Sequence, residues 1–107
     1  MIKDVCIKGR IGPQVFCDTC GKRIEKAGLA AVITVKNIGD GESSEILHVH
    51  KGKCHDLAEK KLGGNVLWGE MSRHFLHLIY NVGLSTEHLE AQKEADREAG
   101  DLFNTPE

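Results

Sequence analysis

Apolar residues in the middle of the chain follow the period of extended backbone. Residues 29–36, LAAVITVK, are rich in β-branched side chains and predict a strand. Residues 45–50, EILHVH, predict a second strand. Between them NIGDGESS, with two glycines and polar neighbours, suits a hairpin connection, so the two strands are expected to pair antiparallel. Alternation then puts Leu47 and Val49 on one face, and Ile46, His48 and His50 on the other. Nearer the start, DVCIK (4–8) predicts a short strand with Cys6 as a small apolar residue within it. Gly9, Gly12 and Pro13 predict a loop after that strand, and FCDTCG predicts a tight turn.

The pattern changes to a helical period in the second half. CHDLAEKKL (54–62) predicts a short helix closed by Gly63 and Gly64. Asn65 is placed to cap a longer helix over 66–82. Its stripe of Leu67, Trp68, Met71, Phe75, Leu78, Ile79 and Val82 has spacings of three and four and predicts a core-facing side. Ser85 or Thr86 can cap a third helix reaching about Phe103, with Glu87 and Glu90 near its positive end. That helix carries a thin face of Ala91, Ala95, Ala99 and Leu102. It is expected to dock on Phe75 and Ile79 of the preceding helix, or on a second chain to make a homodimer through the C-terminal helices. The elements together predict an α+β fold in one domain over 1–107, with a module at 15–62 and a helical part at 65–103.

Length and charge narrow the function classes. A chain of 107 residues supports one domain with a modest core, in which a covalent or metal staple counts. No apolar run is long enough to span a membrane, and MIKDVCIKGR lacks the apolar stretch of a secretory signal, so a cytoplasmic location is expected. There thiols stay reduced, which favours metal binding over disulfides for a close cysteine pair. Residues 1–64 hold eleven Lys+Arg against eight Asp+Glu, whereas 65–107 hold three against eight, a split of +3 and −5. Neither half is a strong polyelectrolyte, so nucleic-acid binding is permitted without being demanded.

The chemistry concentrates in two short stretches. Cys17 and Cys20 form C-x-x-C followed by Gly21, a spacing that lets two thiolates face one tetrahedral ion. His50 and Cys54 form H-x-x-x-C, with Cys54 expected in the first turn of a helix, where unpaired N–H groups favour a thiolate. Together they give C-x2-C-x29-H-x3-C, a closed Cys3His set for zinc. His48 and His55 are the competing fourth ligands, and His48 could instead orient a ligand from behind. His74, His77 and His88 are expected on solvated or partly covered helix surfaces.

The order of CDTCG, hairpin and HKGKC resembles a treble-clef zinc finger over about residues 15–62. The resemblance implies that Cys17 and Cys20 are knuckle ligands and Cys54 a helix ligand, with His50 where the commoner form has a cysteine. A closed four-ligand site is structural, and no nucleophile–base pair or phosphate loop stands out. The expected function is a non-enzymatic binding or regulatory module acting through protein contacts. The alternative is a nucleic-acid-binding finger using Lys22, Arg23, Lys26, Lys51, Lys53, Lys60 and Lys61. A metal-dependent nuclease built on HVH is the third reading, but AVITV lacks the histidine such a hairpin uses.

Overall fold

The computed structural model describes residues 1–36 and 38–99. Its fold is α+β. A three-stranded sheet is built around the central strand, which is also the most buried. We number the strands β1 (Ile2–Ile7), β2 (Arg10–Val15), β3 (Ala30–Val35), β4 (Ile46–His50) and β5 (Val66–Glu70). The helices are α1 (Lys53–Lys61), α2 (Met71–Asn81) and α3 (Thr86–Ala99). β3 lies in the middle of an antiparallel sheet of order β4-β3-β5. Ala30, Ala31 and Ile33 are 0% exposed, and Leu47, Val49, Ile24, Ala58 and Met71 complete the core around them.

The strand pair β3–β4 forms as the sequence predicts, with Ile33 opposite Leu47 and Val32 opposite His48. One face of the sheet receives α1, which packs on β4 and β3. The other receives α2, whose His74 and Phe75 rings approach His48 at 6.4 and 6.1 Å. Both faces are therefore covered, which is why His48 is buried despite its polarity.

The expected helix over 66–82 is corrected. Residues 66–70 form β5, and only Met71–Asn81 are helical. Val66, Leu67 and Trp68 fit a helical stripe, but they also suit a strand, and β3 decides between the two. A central strand this buried needs a hydrogen-bonding neighbour on each side, and residues 66–70 provide the second. Asn65 accordingly caps nothing; its carbonyl accepts the Lys36 N–H at 3.1 Å. Trp68, expected in the core, is 55% exposed and rests edge-on against His55.

The expected loop after the first strand is also corrected. Arg10–Val15 form β2, paired with β1 through a two-residue turn at Lys8 and Gly9, where both φ angles are positive. Pro13 lies opposite Asp4. The mutual bonds of Met1 and Phe16 fix the alternation so that residue 13 is at a position with no ladder bond, where proline costs nothing. Cys6 is in the strand as predicted but exposed rather than packed.

Ser85 caps α3, accepting the His88 N–H at 3.1 Å. No side chain of α3 is buried among the described residues, and the alanines 91, 95 and 99 face solvent. The expected docking of this helix on Phe75 and Ile79 is therefore not found, and Leu102 and Phe103 lie outside the described residues. The radius of gyration is 15.6 Å, against about 13 Å for a compact chain of this length.

Candidate metal centre

The knuckle grows directly out of β2. Phe16 bridges to Arg23, and the Ile24 N–H returns to the Val15 carbonyl at 2.8 Å, closing a narrow loop that holds Cys17 and Cys20. Gly21, at φ 77°, donates its N–H to the Cys17 carbonyl at 2.9 Å and turns the chain back. The opposite half is formed where β4 ends and α1 begins. His50 is the last residue of β4, and Cys54 is in the first turn of α1. Gly52, at φ 93° and ψ −127°, makes the connection in a conformation that essentially only glycine adopts.

These two halves meet. One ligand atom from each of Cys17, Cys20, His50 and Cys54 lies within 4.8 Å of the other three. The Cys20 Sγ to His50 Nδ1 distance is 3.5 Å. Tetrahedral zinc with ordinary bond lengths separates a sulfur and a nitrogen ligand by about 3.6 Å, so the donors stand where one ion would hold them. Cys17 is buried, His50 and Cys54 are half-buried, and Cys20 is exposed, leaving the cluster open to solvent on one side. The arrangement of knuckle, hairpin and helix N-terminus is a treble-clef-like zinc-binding cluster.

Electrostatics favour a cation here. Burial pushes the Cys17 thiol up, but the peptide N–H groups of Cys20, His50 and Thr19 outweigh it and bring it down to about 6. Burial, together with the nearby Cys17 and Cys20, pushes Cys54 up to about 11. One thiolate is thus well accommodated and a second is repelled. A divalent ion reverses that repulsion and allows the remaining thiols to ionise.

The two residues between the knuckle cysteines were not singled out from the sequence, yet each clamps a different ligand-bearing element. Asp18 joins the knuckle to β4: its N–H donates to the His48 carbonyl at 2.7 Å, and its Oδ2 accepts the His48 N–H at 2.8 Å. Thr19 joins it to α1, its hydroxyl donating to the Cys54 carbonyl at 2.8 Å. Burial pushes the Asp18 carboxyl up, but the His48 N–H and the Met1 ammonium at 2.9 Å outweigh it and hold it below the usual carboxylate range. Burial and the same ammonium lower His48, against the opposing effect of Asp18. A signal for these clamps existed in CDTC itself, since short side chains with oxygen acceptors or hydroxyls favour bonds to nearby backbone.

His48 and His55 are outside the cluster. His48 Nδ1 faces the Met1 ammonium at 3.0 Å, and His55 Nε2 pairs with Glu59 at 2.8 Å. Their positions leave His50 as the histidine that meets the three cysteines. His74 is half-buried, and His77 and His88 are exposed. Glu70, His74 and His77 line a shallow cavity of about 300 Å³ beneath α2, but the Glu70 carboxylate is tied to Lys51 at 2.7 Å. Among the described residues the Cys3His cluster is the one group of three or more converging ligands.

Comparison with protein-family models, curated proteins and solved structures gives no match for this chain. The likeness to treble-clef fingers therefore rests on the ligand spacing and on the geometry above. No helix among the described residues is long and apolar enough to cross a membrane.

Proposed function

We propose that the protein is a zinc-stapled interaction module in which Cys17, Cys20, His50 and Cys54 hold one zinc ion and the α2–α3 arm binds a partner protein. The observation that carries this reading is the state of the arm. α3 has 14 residues with none buried, and Leu76, Leu78, Tyr80 and Val82 on or next to α2 are 48–69% exposed. Isolated helices of this length are marginal in water, so a covering partner supplies what the chain does not. The arm is acidic: Lys93 and Arg97 are each paired with a glutamate one turn away, leaving Glu87, Asp96 and Glu98 in excess. A partner with a mixed apolar and basic surface fits it.

The zinc has a structural role in this reading. Four protein donors fill a tetrahedral shell, and the ion fixes the knuckle against β4 and α1. The sheet and hairpin then form a rigid base from which the arm projects. The test is a photo-crosslinker placed at Tyr80, with a control at exposed Glu42 in the β3–β4 loop. A protein captured at position 80 and not at position 42, and lost when Leu76→Asp is added, supports the reading. Equal capture at both positions, or none, refutes it.

Nucleic-acid binding has less support. Of the basic residues around the cluster, Arg23 is paired with Glu25 at 2.7 Å and Lys51 with Glu70 at 2.7 Å. A binding assay across salt concentrations distinguishes the two readings, because phosphate contacts give a steep slope.

A further inference from the structure

The two edges of the sheet differ. The outer edge of β4 is closed by the knuckle, with Asp18 taking both the N–H and the carbonyl of His48. The outer edge of β5 is open. The Lys36–Asn65 bond fixes the alternation along β5: Leu67 and Gly69 turn their peptide groups to β3, while Val66, Trp68 and Glu70 turn theirs away. Among the described residues nothing pairs with the outward peptide groups of Val66 and Trp68. The strand, VLWGE, carries no lysine and no proline, and no element among the described residues pairs with its outer edge. Its one charge, Glu70, is tied to Lys51. Leu67 and Trp68 are 54% and 55% exposed, on opposite faces of the sheet.

We propose that β5 is a self-association edge, on which a second copy of this chain pairs its own β5 antiparallel in the register that sets Trp68 opposite Trp68. Three features of the strand carry this choice of occupant. The outward peptide groups are symmetric about Trp68, so the two strands exchange about four main-chain hydrogen bonds: two between the tryptophans, and one from each Glu70 N–H to the opposite Val66 carbonyl. The Glu70 carbonyl is excluded because residue 70 is the N-cap of α2, where that carbonyl begins the helix ladder. In the same register Leu67 lies across from Gly69, where a Cβ would have nothing within 4 Å; the second copy's Leu67 therefore enters open space. Charge is also compatible, since Glu70 falls opposite Val66 and no charge faces its like. The result is a continuous sheet of twice three strands, with the zinc clusters at its outer ends.

This inference moves the expected self-association from the C-terminal helices to the sheet edge, and it is independent of what the α2–α3 arm binds. The contact is small. A five-residue strand with two half-exposed apolar side chains falls below the roughly 1,200 Å² of a standard stable interface. Association is accordingly weak, with a dissociation constant on the order of 10–100 micromolar.

The experiment is sedimentation velocity on the zinc-loaded full chain, from about 5 to about 500 micromolar. The expected result is a concentration-dependent shift from monomer to dimer. Trp68→Lys places like charges across the two-fold axis and is expected to leave a monomer throughout the range. Because Trp68 touches His55, a second variant guards against simple misfolding. Gly69→Val narrows the slot for the second copy's Leu67, its Cβ meeting nothing within 4 Å in the monomer, and is expected to weaken association at least about tenfold with melting unchanged or raised. Amide exchange should show the Trp68 and Glu70 N–H groups slowing as concentration rises. A chain that stays monomeric at the top of the range overturns the proposal, as does a dimer whose affinity neither substitution alters. An edge reserved for an extended peptide of another protein, or for this chain's own residues 100–107, would show itself as that monomer.

Discussion

Asp18→Ala is the most informative single substitution at the metal centre. His48 is 8% exposed, and its N–H has the Asp18 carboxylate at 2.8 Å as its partner. Truncating the side chain leaves that buried donor unpaired, at a cost of about 1–3 kcal/mol, and the charge on the acceptor points to the upper half of the range. About 2 kcal/mol corresponds to roughly 30-fold in an equilibrium constant. The cost should appear in zinc affinity, because Asp18 acts on the alignment of the knuckle with β4, which carries His50. The magnitude agrees with the roughly 10–100-fold losses typical when groups supporting metal ligands are removed. The assay is competition for zinc against a chromogenic chelator under reducing conditions at about pH 7.5. Asp18→Asn keeps an oxygen acceptor and loses the charge, so its loss should be smaller than that of Asp18→Ala. Thr19→Val removes one of the bonds to the Cys54 carbonyl and should cost only a few-fold. If Asp18→Ala binds zinc within twofold of the parent and melts at the same temperature, the clamp has no energetic role and the reasoning fails.

Three further outcomes are expected. Cys54→Ser should lose stoichiometric zinc by elemental analysis and unfold the region about 15–62, while part of the helical circular dichroism persists; unchanged zinc content and melting would contradict the site. Gly52→Ala should destabilise the protein by about 1–3 kcal/mol through backbone strain alone, since a Cβ there meets nothing within 4 Å; Gly28→Ala, equally uncrowded and with no positive φ, is the control for thermal melting. Zinc binding at neutral pH should release protons and tighten as pH rises: Cys17, at about 6, is already ionised, whereas Cys54, at about 11, must give up its proton to the solvent when the metal binds. Calorimetry in buffers of different ionisation enthalpy measures that proton count, and an affinity flat between about pH 7 and pH 9 would refute it.

Spacing alone marks the ligand set, because it is a local property. Two residues between Cys17 and Cys20, and three between His50 and Cys54, determine what each half can present to an ion before any tertiary contact forms. The β3–β4 pair, the short helix after Gly52 and the Ser85 cap of α3 are legible for the same reason: period, turn residues and caps act within a few positions. The sequence leaves three histidines competing to be the fourth ligand. Tertiary structure separates them by drawing His48 to Asp18 and the Met1 ammonium and His55 to Glu59.

Elsewhere the deciding physics is nonlocal. Residues 66–70 satisfy a helical stripe and a strand about equally, and they become β5 because β3 is buried with one edge unpaired. Arg10–Val15 contain glycine and proline, yet form a strand because β1 supplies a partner and Pro13 falls where no ladder bond is required. The alanine face of α3 shows a capacity for packing, but no surface of this chain covers it among the described residues. A sequence records which groups need a partner; which partner they obtain is decided by hydrogen bonds and burial between segments tens of residues apart.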